Sequence, residues 1–342
     1  MAIKQLNVGI IGCGLIGVKR AIAVCNNPSS NLVALCDSDL GLLGSTMSSL
    51  NVFRAQDWRH IIAMRDLDVV IVSTPNAFLG EIAESCLKSG KHVLIEKPMC
   101  RNLEEAIALK TVADNSKVLL KIGFNHRYHP GIKEAKSMID GGVIGNIINA
   151  RIIYGHGGRL GYEKEWRGNY LLAGGGELTD QGVHVADLFQ WFFGMPEEVF
   201  GWMQRAVWPL DPLLEDNAFG LFRFPNRMVA SMHTSWTQWK NKFQFEIFGT
   251  KGSLEIQGLG GSYGPENLIT HKRNPFGGGP EIEKITYDGS DNSWDLEWQD
   301  FIAAINNNGS YFGTPIDGVG AMRIIDGLYR SSKTNLAEKL FR

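Results

Sequence analysis

Asp180 and His184 stand four residues apart in the stretch GGGELTDQGVHVADLFQWFFG, residues 174–194. On a helix that spacing puts both side chains on one face. An imidazole titrates near neutrality, so His184 can take or give a proton. The carboxylate of Asp180 can hold the ring or bind a hydroxyl. Two other readings stay open: a packed histidine with a capping carboxylate, and half of a metal site, although no further convergent ligand motif completes one. The three glycines read as a loop and Thr179 as the cap of the helix that follows. Asp187 lies one turn further on, and Val183, Ala186, Phe189 and Phe193 form the face that packs toward a core.

A second group lies near the start, in NVGIIGCGLIGVKRAIAV, residues 7–24. Gly12, Gly14 and Gly17 have G-x-G-x-x-G spacing between a strand and a helix. Gly12 suits a tight turn, Gly14 a close approach of backbone to a pyrophosphate, and Gly17 close helix–strand packing. The helix N-terminus, at Leu15 and Ile16, would face the phosphates. A second strand ends in Asp37, whose carboxylate would accept from a ribose 2′-hydroxyl and repel a 2′-phosphate. No Arg or Lys follows in SDLGLLGS, so NAD is expected rather than NADP. Lys97, in IEKP, follows a strand at the edge where open α/β sheets bind ligands. Next to bound NAD it could hydrogen-bond a reacting hydroxyl or carbonyl and stabilise a developing alkoxide; the plainer alternative is a solvated surface lysine.

These residues need elements to hold them. Up to about residue 125, apolar runs (LNVGIIG, NLVALCD, DVVIVST, KHVLIEK, KVLLKIGF) alternate with helical patterns near 15–26, 39–49, 57–64, 78–89 and 103–115. This predicts a doubly wound α/β domain over residues 1–124 with a parallel sheet. From 125 to 342 the texture changes. A helix at 130–140 and a strand IINARIIYG precede the 178–193 helix. Strand-like runs with short turns then suggest an antiparallel sheet. Helical patterns return at 293–306 and 317–333, the latter a candidate to pack back toward the first domain. GLGGSYGPEN and NPFGGGPE read as surface turns.

The chain has 342 residues, 44% hydrophobic and 20% charged, with a formal net charge of −2. That length suggests two domains, and the charge excludes a global field that would attract nucleic acid or an anionic membrane. No apolar segment reaches the ~20 residues of a membrane span, and the first residues lack signal-peptide character. Five cysteines without C-x-x-C spacing suggest a reducing cytoplasm, no disulfides and no structural zinc.

Taken in order, STPNAF (73–78), EKP (96–98), GFNHRYHP (123–130), GGGELTDQGVHVADL (174–188), FEIFGTKGSL (245–254) and DGVGAMRIIDGLYRSS (317–332) resemble the Gfo/Idh/MocA family of sugar and cyclitol oxidoreductases. The resemblance spans nearly the whole chain. It implies an N-terminal Rossmann domain and a C-terminal domain on a large, open, mostly antiparallel sheet. It also implies that Lys97 is catalytic, that His184 is the acid/base and that Asp180 is its partner or a ligand for a substrate hydroxyl. Ser73, Thr74, Pro75, Asn76 and Glu96 would lie near the cofactor, and Pro98 matches a proline that often follows a cis bond. Leu79 is a departure, because the family often has His there. No metal is needed.

Arg127 and Tyr128, just after the last Rossmann strand, and Arg159, Trp166 and Arg167, ahead of the 178–193 helix, are the substrate candidates. Their cations would suit an anionic sugar, with arginine gripping carboxylate or phosphate; solvated loop charges are the plain alternative. Trp236 and Trp239 read as packing or interface residues. The expected activity is NAD-dependent interconversion of a secondary hydroxyl and a ketone on a sugar, a sugar derivative (nucleotide-linked and acidic ones included) or a cyclitol. The substrate would sit between the domains, and the protein would be a homodimer or homotetramer. NAD-assisted glycoside cleavage and a non-catalytic sugar sensor are the alternatives. Net NADH production separates the first, and retention of both Lys97 and His184 argues against the second.

Overall fold

The computed structural model describes residues 5–307 and 309–340. They form two compact units. One runs through Asn125 and takes in Trp294–Val319, and the other holds His126–Ser293 and the chain from Gly320.

The first unit contains β1 (Leu6–Ile11), α1 (Leu15–Asn26), β2 (Ser30–Cys36), α2 (Leu40–Ser45), β3 (Phe53–Ala55), α3 (Trp58–Ile62), β4 (Val69–Val72), α4 (Asn76–Lys88), β5 (His92–Glu96), α5 (Leu103–Asp114) and β6 (Leu120–Gly123). The sheet has the order β3-β2-β1-β4-β5-β6 and every pair is parallel. This is the doubly wound order with its switch point beside β1, where such sheets bind ligands. All four residues of β4 are buried, which is why its sequence reads as a continuous apolar run and not as an alternation. The short strand β3 has no counterpart in the sequence reading, since three residues carry no period.

The second unit begins with α6 (Pro130–Asp140), β7 (Ile147–Gly155), α7 (Tyr170–Ala173) and α8 (Val183–Phe193). A run of strands follows: β8 (Glu198–Gln204), β9 (Asn217–Arg223), β10 (Val229–Ser235), β11 (Lys242–Gly249), β12 (Gly252–Gln257), β13 (Glu266–Lys272) and β14 (Glu281–Tyr287). The chain ends with α9 (Ser293–Asn307), α10 (Pro315–Thr334) and β15 (Glu338–Lys339). Nine strands make one sheet, β14-β13-β12-β11-β7-β10-β9-β8-β15. Among the described residues of this sheet only the β7–β10 pair is parallel, and it joins strands that are not consecutive in the chain. One face is apolar and packs on α8, where Phe189 meets Phe222 at 5.0 Å and Phe192 meets Phe245 at 5.1 Å between ring centroids. On the opposite face Trp202, Phe219, His233 and Ile153 lie side by side across four strands.

The chain-order boundary differs from the expected one. Residues 125–342 were expected in one domain, but Trp294–Val319 belongs to the first unit. Trp298, Phe301 and Ile302 of α9 share a core with Val8, Ile10 and Leu35, and the Trp298 indole donates to Ser30 Oγ at 3.0 Å. Arg20, fully buried on α1, donates to Glu96 Oε1 at 2.7 Å and to Glu297 Oε2 at 2.6 Å. Helical periodicity reveals an apolar face but not the core that receives it. From Gly320 on, α10 belongs to the second unit, where Leu328 lies against Gly201 and Gly220. Among the described residues no helix is long and apolar enough to cross a membrane.

Candidate functional site

In the first unit the fingerprint turn is built by close backbone contacts. Gly12 has φ +98°, and a Cβ there would lie 2.5 Å from the Ser73 carbonyl oxygen. A Cβ on Gly17 would run into the Gly12 carbonyl, whereas one on Gly14 would point into open space. Gly14 caps α1 without any side-chain hydrogen bond, so the first helical N–H groups at Leu15 and Ile16 are available to an anion. Asp37 sits at the end of β2. Its Oδ2 accepts from Cys13 N at 2.7 Å and its Oδ1 from Asp39 N at 2.9 Å. This fixes the carboxylate beside the glycine turn.

After β4, Ser73 Oγ donates to the Gly12 carbonyl at 2.8 Å, and Thr74 Oγ1 is buried with no hydrogen-bond partner among the described residues. Pro75 caps α4 and Asn76 opens it, buried. Leu79 is fully buried in this helix, a core position where the related pattern often has histidine. After β5, Glu96 is held by Arg20, Lys97 is half-buried, and the Lys97–Pro98 bond is cis. The open space at Gly14, the unsatisfied Thr74 hydroxyl and the anchored Asp37 carboxylate are what a dinucleotide's pyrophosphate and ribose require. The residues present fit NAD.

In the second unit Asp180 and His184 do not lie on one regular helix. Leu178–Gly182 is a π-helical turn that runs into α8. Such wide turns are frequent at functional sites. Thr179 is not a cap: it is buried inside the π turn, with its hydroxyl 3.0 Å from that of Tyr329. His184 is buried, and its ring centroid lies 3.8 Å from that of His126 in an edge-on arrangement. Tyr154 stands 5.2 Å from His126 and 6.3 Å from His184. His126 was missed by sequence reasoning although it adjoins Arg127. Both lie on the 3₁₀ turn Asn125–Tyr128, where neighbours point in different directions.

The arginines expected to face an anionic ligand are each ion-paired with a carboxylate. Buried Arg127 forks onto Asp187 at 2.6 and 2.8 Å. Arg159 forks onto Glu165 at 2.5 and 2.6 Å. Arg167 Nε donates to Asp180 Oδ2 at 3.2 Å while its guanidinium lies 4.3 Å from the Trp166 ring centre. Tyr128 is buried. Tyr162 packs edge-on to Trp236 at 4.6 Å, and burial together with Asp180 pushes its phenol well up, which makes it a poor substitute for His184. Trp236 is a core residue, as expected, and Trp239 is exposed. Among the described residues no cluster of three or more His, Cys, Asp or Glu could hold a metal ion.

Glu215, in the segment before β9, was also missed. Its carboxylate accepts from Leu178 N at 2.9 Å, Gly176 N at 3.3 Å and the Tyr329 hydroxyl at 2.8 Å. Burial pushes this carboxyl up to about 7, although the three donors favour the charged form. The folded protein therefore holds a proton here that the unfolded chain releases near pH 4.5. Stability should fall as pH rises from about 4.5 to about 7, by an amount on the order of a few kcal/mol. Glu215→Gln should flatten that part of the melting-temperature profile; equal slopes in the two proteins would contradict the assignment.

Comparison with known proteins agrees with this geometry. Residues 6–124 match the model of the oxidoreductase family with an NAD-binding Rossmann fold, and residues 132–255 match the GFO/IDH/MocA C-terminal domain. The levoglucosan dehydrogenase of Pseudarthrobacter phenanthrenivorans is 26% identical over 377 aligned positions, covering 96% of each chain. The NAD-dependent scyllo-inositol 2-dehydrogenase of Bacillus subtilis is 23% identical over 92% of this chain and 90% of its own. A solved levoglucosan dehydrogenase in complex with NADH and levoglucosan superposes with a TM-score of 0.89, covering 98% of this chain and all of the other at 24% identity, which shows the shared fold. With both domains matched and the fingerprint built to take a dinucleotide, the chain belongs to the Gfo/Idh/MocA family of NAD-binding oxidoreductases.

Proposed function

We propose that the protein interconverts a secondary hydroxyl and a ketone on a neutral sugar, sugar derivative or cyclitol, using NAD. The pairing of every candidate arginine with a carboxylate carries the word neutral. Arg127, Arg159 and Arg167 offer no surplus positive charge to a carboxylated or phosphorylated ligand. Relatives named for levoglucosan and scyllo-inositol agree with this reading, while a Bacillus subtilis relative 31% identical over 54% of this chain is named a glucose-6-phosphate 3-dehydrogenase, so the arginine pairing carries the choice.

Bound NAD supplies the hydride acceptor for the carbinol carbon. His184 takes the hydroxyl proton in oxidation and returns it in reduction. Lys97 donates to the reacting oxygen and stabilises the negative charge that develops on it. Asp180, held by Arg167, accepts a hydrogen bond from a substrate hydroxyl and fixes the sugar over His184; Trp166, beneath Arg167, offers a flat apolar surface to a ring face. Asp37 selects NAD by repelling a 2′-phosphate.

An activity screen with both cofactors tests the reading. Levoglucosan-type sugars, pyranosides and inositols should reduce NAD with net accumulation of NADH, uronates and sugar phosphates should react more slowly, and NADP should serve poorly. Asp37→Ser should narrow the gap between cofactors. A screen in which only anionic sugars react, or in which NADP equals NAD, contradicts it.

We further propose that the open face of the nine-stranded sheet joins a second copy of the chain. Trp202, Leu221 and Phe219 there are 56%, 50% and 40% exposed, an apolar patch that a monomer seldom leaves to water. Sedimentation velocity should give a dimer or tetramer for the native chain and smaller species for Trp202→Glu. A native monomer at micromolar concentration contradicts this.

A further inference from the structure

The glycine run before Asp180 has a specific receptor. A Cβ on Gly176 would strike the backbone of Glu215, and one on Gly175 would strike the hydroxyls of Thr179 and Tyr329. Glu177 N donates to the Glu215 carbonyl at 3.0 Å, while the Glu215 side chain takes Leu178 N and Gly176 N. One residue thus receives three successive N–H groups just ahead of the π turn. Tyr329, on α10, binds both ends of the arrangement, donating to Glu215 Oε1 at 2.8 Å and meeting Thr179 Oγ1 at 3.0 Å. Asp180 N, in turn, donates to the Gly176 carbonyl at 3.0 Å, so the position of Gly176 is passed directly to Asp180.

We propose that Glu215 and Tyr329 are positioning residues that lock the Gly175–Thr179 backbone and thereby set where Asp180 and His184 stand for proton transfer. This rests on the roles given above to Asp180 and His184. Neither Glu215 nor Tyr329 needs to touch substrate: Glu215 acts through the backbone N–H groups it accepts from, and Tyr329 through Glu215 and Thr179. The first N–H groups of any helix lack intrahelical acceptors, and here the N–H groups of Gly176, Glu177 and Leu178, at the entry to the π turn, find theirs on one residue from outside the segment. Glu215 is that acceptor, and Tyr329 holds it in place.

The test uses Glu215→Gln and Tyr329→Phe, the second of which keeps the ring packing and removes only the hydroxyl. Both should lower kcat by about 10- to 100-fold, the scale of a misplaced catalytic group, with the NADH dissociation constant unchanged. Backbone amide exchange over residues 174–184 should quicken about tenfold or more in both, while exchange in the parallel sheet stays the same. Unchanged kcat with unchanged exchange overturns the proposal, and so does faster exchange with unchanged kcat. His184→Asn measured alongside separates the two ideas. If it keeps full activity while the two variants lose theirs, the lock stands and the acid/base role falls. If it alone loses activity, the lock falls and the role stands.

Discussion

The guanidinium of Arg20 has no exposed surface, and its countercharge comes in part from Glu96, the residue directly before Lys97. A charge in that position is costly unless it is paired and fully hydrogen-bonded. Two carboxylates supply the countercharge and accept from Nε and Nη1, leaving Nη2 without a hydrogen-bond partner among the described residues. Glu96 comes from the end of β5, directly before Lys97, and Glu297 comes from α9, some two hundred residues later in the chain. Gly123 at the end of β6 leaves room for the pair, since a Cβ there would lie 2.6 Å from the Arg20 guanidinium. Fold and chemistry are thereby coupled: the return of α9 to the first unit completes the charge balance that holds the residue next to Lys97.

The second unit solves a related problem differently. Its buried acceptor, Glu215, has only neutral donors, so it sits near the balance between a charged and an uncharged carboxyl. Elsewhere in the unit Arg127 pairs with Asp187 and Arg167 with Asp180. The proposal of a neutral ligand rests on these charges being committed to one another.

Much of the first unit was legible because its determinants are local. The β-branched runs, the glycine spacing and Asp37 each carry their meaning within a few residues, and β1, β2, β4, β5 and β6 appear where the runs predict. The second unit was legible in outline, and β7 through β11 match their alternating runs. β12 lacked a distinct pattern, and β14 is an edge strand exposed along nearly its whole length, so no burial alternation marks it. The Asp180/His184 pair could be read because both residues lie on one short segment. The partners of Arg127 and of the glycine run could not, because Asp187, Glu215 and Tyr329 are brought in by tertiary folding. Sequence displays a charge; only the fold displays what cancels it.

The central proposal is that Lys97 and His184 serve one proton-transfer step. A double-mutant cycle on kcat/KM with Lys97→Ala, His184→Asn and the pair tests it most directly, with NADH affinity as the control for folding. Each single change should cost roughly 10²–10⁴-fold, and the double variant should lose far less than the product of the two. Losses that multiply, or a His184→Asn enzyme with normal kcat/KM and an unchanged pH profile, would contradict the account.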